Sequence, residues 1–192
     1  MFVGRERELR SLTSLLERVS SRDGTSNTVG RCVFVRGRRR VGKSRLVEEF
    51  CRQADVPYVY FTAAQQGDRE LALFVDELES STLPGRDRIS GLSASSWEAA
   101  LNLLNSALPD DAPAIVVFDE FPYLTGADQS LEAVFQKQWD RVLSRRRVLL
   151  LLVGSDLAMM EALNSYGRPL HQRGTEMVVT ALSPAATGTI VS

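Results

Sequence analysis

Short apolar runs alternate with helically patterned stretches through most of this sequence, and the apolar runs carry no regular polar residue at every second position. They fall at residues 31–36, 57–62, 114–118, 148–154 and 177–182. A strand that is apolar at successive positions has to be buried on both faces, which excludes a sheet with one side in water. The stretches between, near residues 43–54, 69–79, 97–108, 131–144 and 157–164, repeat their apolar residues at helical spacing. Strands and helices in alternation imply an α/β fold whose mainly parallel sheet is covered on both sides. Such a sheet takes its ligands outside the carboxyl ends of its strands. Ser95 followed by Glu98 reads as a capping box for the helix at 97–108. Ahead of the first run, Leu9, Leu12, Leu15, Leu16 and Val19 predict an amphipathic helix over 5–19, and the polar residues 20–30 read as a flexible connector.

With 192 residues, 44% of them hydrophobic, the chain can bury one sizeable core. We expect a single domain, with an N-terminal helix to residue 19, a connector over 20–30, a sheet core over 31–184 and an irregular tail over 185–192. A net charge of -1 supplies no global field towards nucleic acid or an anionic membrane, so nucleic-acid binding is not supported by this chain alone. The longest apolar runs fall far short of the ~20 residues that span a bilayer. The start turns charged at Gly4, Arg5 and Glu6, unlike a secretory signal, and a cytoplasmic location is the expectation. Cys32 and Cys51 show neither metal spacing nor a C-x-x-C pattern and read as reduced core residues.

Residues 37–44, GRRRVGKS, fit G-x-x-x-x-G-K-[ST] and lie directly between an apolar strand and a helical pattern. Glycines at both ends let the backbone turn so that successive N–H groups face an anion, and the helix N-terminus adds its positive dipole end. A chance match is expected in fewer than about 1% of random chains this long, before that placement is required. Gly37, Arg38, Arg39, Arg40, Val41, Gly42, Lys43, Ser44 and Arg45 form the expected phosphate-binding set. Lys43 would reach the β and γ phosphates, and the Ser44 hydroxyl would ligate Mg²⁺.

A second apolar strand ends in Asp119 and Glu120, the shape of a Walker B segment. Alone it reads equally as a polar strand end or helix cap. Beside the phosphate loop, Asp119 becomes the expected metal-side carboxylate and Glu120 the group that polarises an attacking water. Ser155 closes the strand at 148–154; it either senses a γ phosphate or, with Asp156, caps the next helix. Arg168 and Arg173 flank the sole histidine, His171, and by spacing alone all three read as surface residues. Arginine triplets at 38–40 and 145–147 suggest a basic patch, although the second also suits a helix C-terminus.

Together these motifs resemble the archaeal-type ATPases, a branch of the signal-transduction NTPases (STAND) within the AAA+ class. The matching segments run in order: Phe2-Val3-Gly4-Arg5-Glu6 with Leu9, the loop at 37–44, Asp119-Glu120-Phe121-Pro122-Tyr123-Leu124, Gly154-Ser155 with Met159-Met160, and Pro169-Leu170 with Arg173 and Thr175. The likeness extends from Phe2 to about Pro184. It implies a three-layer P-loop NTPase core with sheet order 5-1-4-3-2, ATP as the nucleotide, and Val3, Gly4 and Arg5 as seats for adenine and ribose. It also implies a catalytic role for Arg173, although His171-Gln172 stands where that family has an aromatic and a glycine. Relatives continue past the fifth strand into a helical lid. Residues 185–191 show no helical pattern and the sequence ends at Ser192, so the lid is expected to be absent and turnover slow.

The leading expectation is an ATPase that hydrolyses ATP to ADP and phosphate with Mg²⁺. One alternative is a nucleotide-gated switch or interaction module with little turnover, read out by a protein partner or self-association. Another is a truncated remnant of a larger ATPase.

Overall fold

The computed structural model describes residues 4–21, 29–67 and 69–181. Val3, most of the expected connector, and the whole tail over 185–192 lie outside them.

Parity along the strands builds the fold. The sheet comprises β1 (Arg31–Arg36), β2 (Tyr58–Thr62), β3 (Ala114–Asp119), β4 (Val148–Gly154) and β5 (Thr175–Val178), all parallel, in the order β2-β3-β4-β1-β5. Read from the other edge, this is the order the resemblance implied. Val33, Val35, Ile115, Val117, Leu149, Leu151 and Val153 share one face with Leu12, Leu16 and Val19 of α1 (Glu6–Ser20) and Leu46, Val47 and Phe50 of α2 (Lys43–Gln53). The intervening residues Phe34, Val116, Phe118, Leu150 and Leu152 face the other way. There they meet α3 (Arg69–Ser80), α4 (Trp97–Ala107), α5 (Phe121–Ala127), α6 (Leu131–Arg141) and α7 (Leu157–Leu163). Side chains alternate across a strand, so a strand apolar at both parities needs both helical layers. Phe61, Phe74, Trp97, Phe118, Phe121 and Phe135 interlock on the second face, with mostly edge-on ring contacts such as Phe118 on Phe135 at 4.9 Å. Cys32 and Cys51 are free and buried, and burial pushes both thiols up to about 12.

Some boundaries differ from the sequence expectations. β5 begins at Thr175 rather than residue 177, because an edge strand needs main-chain pairing with β1 rather than apolar side chains; its residues are mostly exposed. Leu182, its expected end, lies outside the described residues. The helix expected over 131–144 stops at Arg141, and a 3-10 turn follows over Leu143–Arg145. Helix α5 was not expected. Ser96, not Ser95, caps α4: its hydroxyl accepts from the Ala99 N–H at 3.2 Å, while Glu98 accepts from Lys137 instead of reaching back. The arginine triplets share no patch. Residues 145–147 precede β4 at the amino ends of the strands, with Arg146 donating to the Leu108 and Pro109 carbonyls, whereas residues 38–40 follow β1 at the carboxyl ends. No helix among the described residues is long and apolar enough to cross a membrane.

Register brings the strand ends level: Arg36 pairs Gly154, Phe118 pairs Leu152 and Thr62 pairs Asp119. The residues that follow these positions therefore converge on one edge of the sheet. Phe74, fully buried in the aromatic cluster, packs against the rings of Phe61, Trp97 and Phe118, so its loss should be felt by all three. Phe74→Ala is expected to lower the unfolding free energy by about 3–5 kcal/mol in urea titrations.

Candidate functional site

The loop at 37–44 leaves β1 where the backbone has no spare room. A Cβ on Gly37 would stand 2.2 Å from the Val179 carbonyl oxygen, so only glycine lets the loop pass the segment after β5. Gly42, at φ 87°, caps α2 in the left-handed region that favours glycine. Behind it Lys43 is buried, and its Nζ folds back to donate to the carbonyls of Gly37 at 2.9 Å and Arg38 at 3.1 Å. An ammonium has three protons, so one remains for an anion at the loop mouth. Burial draws the Lys43 pKa below the ordinary lysine value, while Glu120 and Asp119 oppose that shift. Arg38, Arg39 and Arg40 are exposed, and Arg39 donates to the Tyr123 hydroxyl on α5.

The two carboxylates are adjacent in sequence but separate in direction. Asp119 is buried at the end of β3, its Oδ1 accepting from the Glu120 N–H at 2.9 Å and its Oδ2 from the Tyr60 hydroxyl at 2.9 Å. Glu120 adopts φ 53° and so turns away towards β4, where both its oxygens accept from the Ser155 hydroxyl, at 3.1 and 2.9 Å. Asp156 caps α7 through the Met159 N–H at 3.0 Å. Of the two uses left open for Ser155, capping therefore belongs to its neighbour.

A cavity of about 700 Å³ opens at this edge, lined by Arg39, Arg40, Gly42, Lys43, Ser44, Arg45 and Glu120. A groove of about 850 Å³ between α1 and β5 is larger. It lacks a helix N-terminus with an inward lysine and facing carboxylates, so the chemistry points to the smaller space. Among the described residues no group of three or more His, Cys, Asp or Glu could cage a metal by itself.

One expected site residue, Arg173, is placed elsewhere, and another, Arg5, meets the loop from its outer side. Arg173 chelates Asp140 through Nε and Nη2, at 2.9 and 2.8 Å, and lies with Gly30, Arg31 and Cys32 at the start of β1. The loop begins after the end of that strand, roughly 17 Å further on at 3.3 Å per residue. Arg173 therefore does not reach this chain's own phosphate loop. Arg5 is buried, with Nη1 on Glu8 at 2.8 Å and Nη2 on the carbonyls of Val41 at 2.7 Å and Thr180 at 2.6 Å. It ties α1, the loop and the segment after β5 together, with three of its five N–H donors on these protein acceptors. Gly4 sits beside it with φ 85°. Arg168 pairs with buried Glu132, and His171 contacts the Asn164 carbonyl at 2.6 Å, away from the loop. Tyr60 was missed, since a tyrosine in an apolar strand reads as core until its hydroxyl's partner is seen, and Tyr123 was matched only as part of a string, with no partner assigned.

Residues 1–153 match the AAA ATPase domain family. The chain belongs to that family. An uncharacterized protein of Methanocaldococcus jannaschii is 28% identical over 178 residues, which cover 91% of this chain and 34% of that protein. Among solved structures, a Walker-type ATPase of Pyrococcus abyssi is similar at 23% identity and TM-score 0.62, covering 96% of this chain and 55% of its own. The ORC2 protein of Aeropyrum pernix in its ADPNP-ADP complexes follows at 15% identity and TM-score 0.69, covering 97% and 50%. At these identities the solved structures establish the fold, a P-loop ATPase core. This AAA ATPase domain spans about half the length of those chains and a third of the Methanocaldococcus protein.

Because the Arg5 guanidinium is a buried cation with three protein acceptors, Arg5→Ala should lower stability by about 3 kcal/mol in urea unfolding. Arg5→Lys should recover little of it, since an ammonium cannot span the same fork of acceptors.

Proposed function

We propose that this domain binds ATP with Mg²⁺ at residues 37–45 and hydrolyses it to ADP and phosphate. The observation that carries this reading is the Lys43 ammonium, drawn back under a left-handed Gly42 at the N-terminus of α2, with Asp119 and Glu120 splayed at the neighbouring strand end. The relation to a protein solved with ADPNP and ADP supports an adenine nucleotide. The sequence likeness to archaeal-type STAND ATPases supports the same choice.

The residues present suit a magnesium ion. A hydroxyl from Ser44 and a carboxylate from Asp119 are hard oxygen donors, and magnesium takes few protein ligands, completing its shell with phosphate oxygens and water. Bound there, it would neutralise charge on the β and γ phosphates. The main-chain N–H groups of the loop and the N-terminus of α2 would hold the phosphates, and Lys43 would meet charge that develops between β and γ. Glu120, oriented by Ser155, keeps lone pairs free to accept a proton from a water at the γ phosphorus. That water's oxygen bonds to phosphorus as the bond to the β–γ bridging oxygen breaks, and ADP leaves with the electron pair. The proton passes through Glu120 to the released phosphate.

A second reading, in which bound nucleotide sets contacts with a protein partner or another copy, is favoured by Arg5. One guanidinium joins the Val41 carbonyl of the loop to the Thr180 carbonyl beyond β5, so a shift of the loop is felt where the chain leaves the sheet. The two readings are compatible, since hydrolysis would reset such a switch.

Lys43→Ala should weaken ATP binding by about 100-fold or more in equilibrium dialysis, through loss of charge-assisted hydrogen bonds. Glu120→Gln should bind ATP within about twofold of wild type while phosphate release falls by about 10²–10⁴-fold, the range for a lost general base. Equal phosphate release from Glu120→Gln and wild type would remove Glu120 as the base.

A further inference from the structure

β2 supplies none of the residues that mark the site in the sequence, yet it reaches the site through Tyr60. The ring of Tyr60 packs with the apolar residues between the sheet and the α1–α2 layer. Its hydroxyl donates to Asp119 Oδ2 at 2.9 Å and stands 3.4 Å from the Ser44 carbonyl oxygen. The other oxygen of Asp119 accepts from the Glu120 N–H at 2.9 Å. Only 2% of Asp119 is exposed, so these two donors, not water, set the plane and tilt of its carboxylate. The phenol thus sits between the two residues expected on the metal side, Asp119 on β3 and Ser44 in the first turn of α2.

We propose that Tyr60 is a metal-positioning residue. Its hydroxyl fixes the Asp119 carboxylate against the first turn of α2, so that Asp119 and the Ser44 hydroxyl address one hydrated magnesium ion. The inference rests on the metal assignment of the preceding section and adds a residue to it. A carboxylate with one hydrogen bond on each oxygen keeps its remaining lone pairs in fixed directions, which suits the narrow octahedral demand of magnesium. Partners of this kind behind a metal ligand typically change metal affinity by about 10–100-fold when removed.

A purely structural tyrosine would do something different. Loss of a packing or satisfying group would loosen the site for nucleotide with or without metal, whereas loss of a positioning group acts only through the metal. Tyr60→Phe keeps the ring and removes the hydroxyl. The quantity to measure is the magnesium enhancement, the ratio of the ATP dissociation constant in EDTA to that in saturating magnesium, obtained by equilibrium dialysis. The ratio is insensitive to any uniform weakening of the cradle. Tyr60→Phe is expected to reduce the ratio by about tenfold or more while leaving the EDTA value within about twofold of wild type. A ratio equal to that of wild type overturns the inference, including the case in which both affinities fall together. The wild-type arm tests the underlying reading separately. ATP binding without any magnesium enhancement in wild type would remove the metal assignment itself, and Tyr60 with it.

Discussion

Lys43 is a cation held almost out of water, and the rest of the site is arranged around that fact. An ammonium so placed needs oxygen partners, and it finds them in the Gly37 and Arg38 carbonyls at the entry of its own loop. That contact closes the loop on itself. The closure in turn requires Gly42 in the left-handed region and a residue without a side chain at 37, where the Val179 carbonyl blocks even a methyl group. A second buried cation, Arg5, grips the same loop from outside through the Val41 carbonyl. The loop is thus preorganised by protein contacts, and an arriving anion need not order it.

Across the cavity, a single backbone conformation sends neighbouring carboxylates in different directions. With Glu120 at φ 53°, β3 ends abruptly, Asp119 stays with the sheet and Tyr60, and Glu120 swings towards Ser155 beyond β4. A left-handed residue that is not glycine is strained, and such strain concentrates where function requires a particular direction. The sheet order makes both contacts available, because β3 lies between β2 and β4.

How far the sequence discloses this depends on what each feature rests upon. β1 and β4 occupy the ranges that their apolar runs mark, since burial on both faces writes itself into every residue. The loop and the Asp119-Glu120 pair were marked by residue type and spacing, and the structure brings them to one edge of the sheet, around a single cavity. β5 was misplaced because pairing through the main chain leaves no side-chain signature. Helix α5 was hidden by its length of seven residues, although Pro122 near its start is a recognised opening signal. Arg173 was expected at the site through the resemblance alone and read by spacing as a surface residue; it lies by the start of β1, because sequence order does not tell which end of a strand a later residue reaches. Tyr60 needed the strand order before its hydroxyl could be given a partner.

The central claim is that main-chain amides around Gly42 and the Lys43 ammonium receive the phosphates of a nucleotide. Amide chemical-shift mapping by NMR during titration with Mg-ADP tests it most directly, because it reads those N–H groups themselves. The account predicts that the largest shifts fall on Gly42, Lys43 and Ser44. Saturating nucleotide that leaves these amides unmoved, or shifts residues at the amino ends of the strands instead, would contradict it.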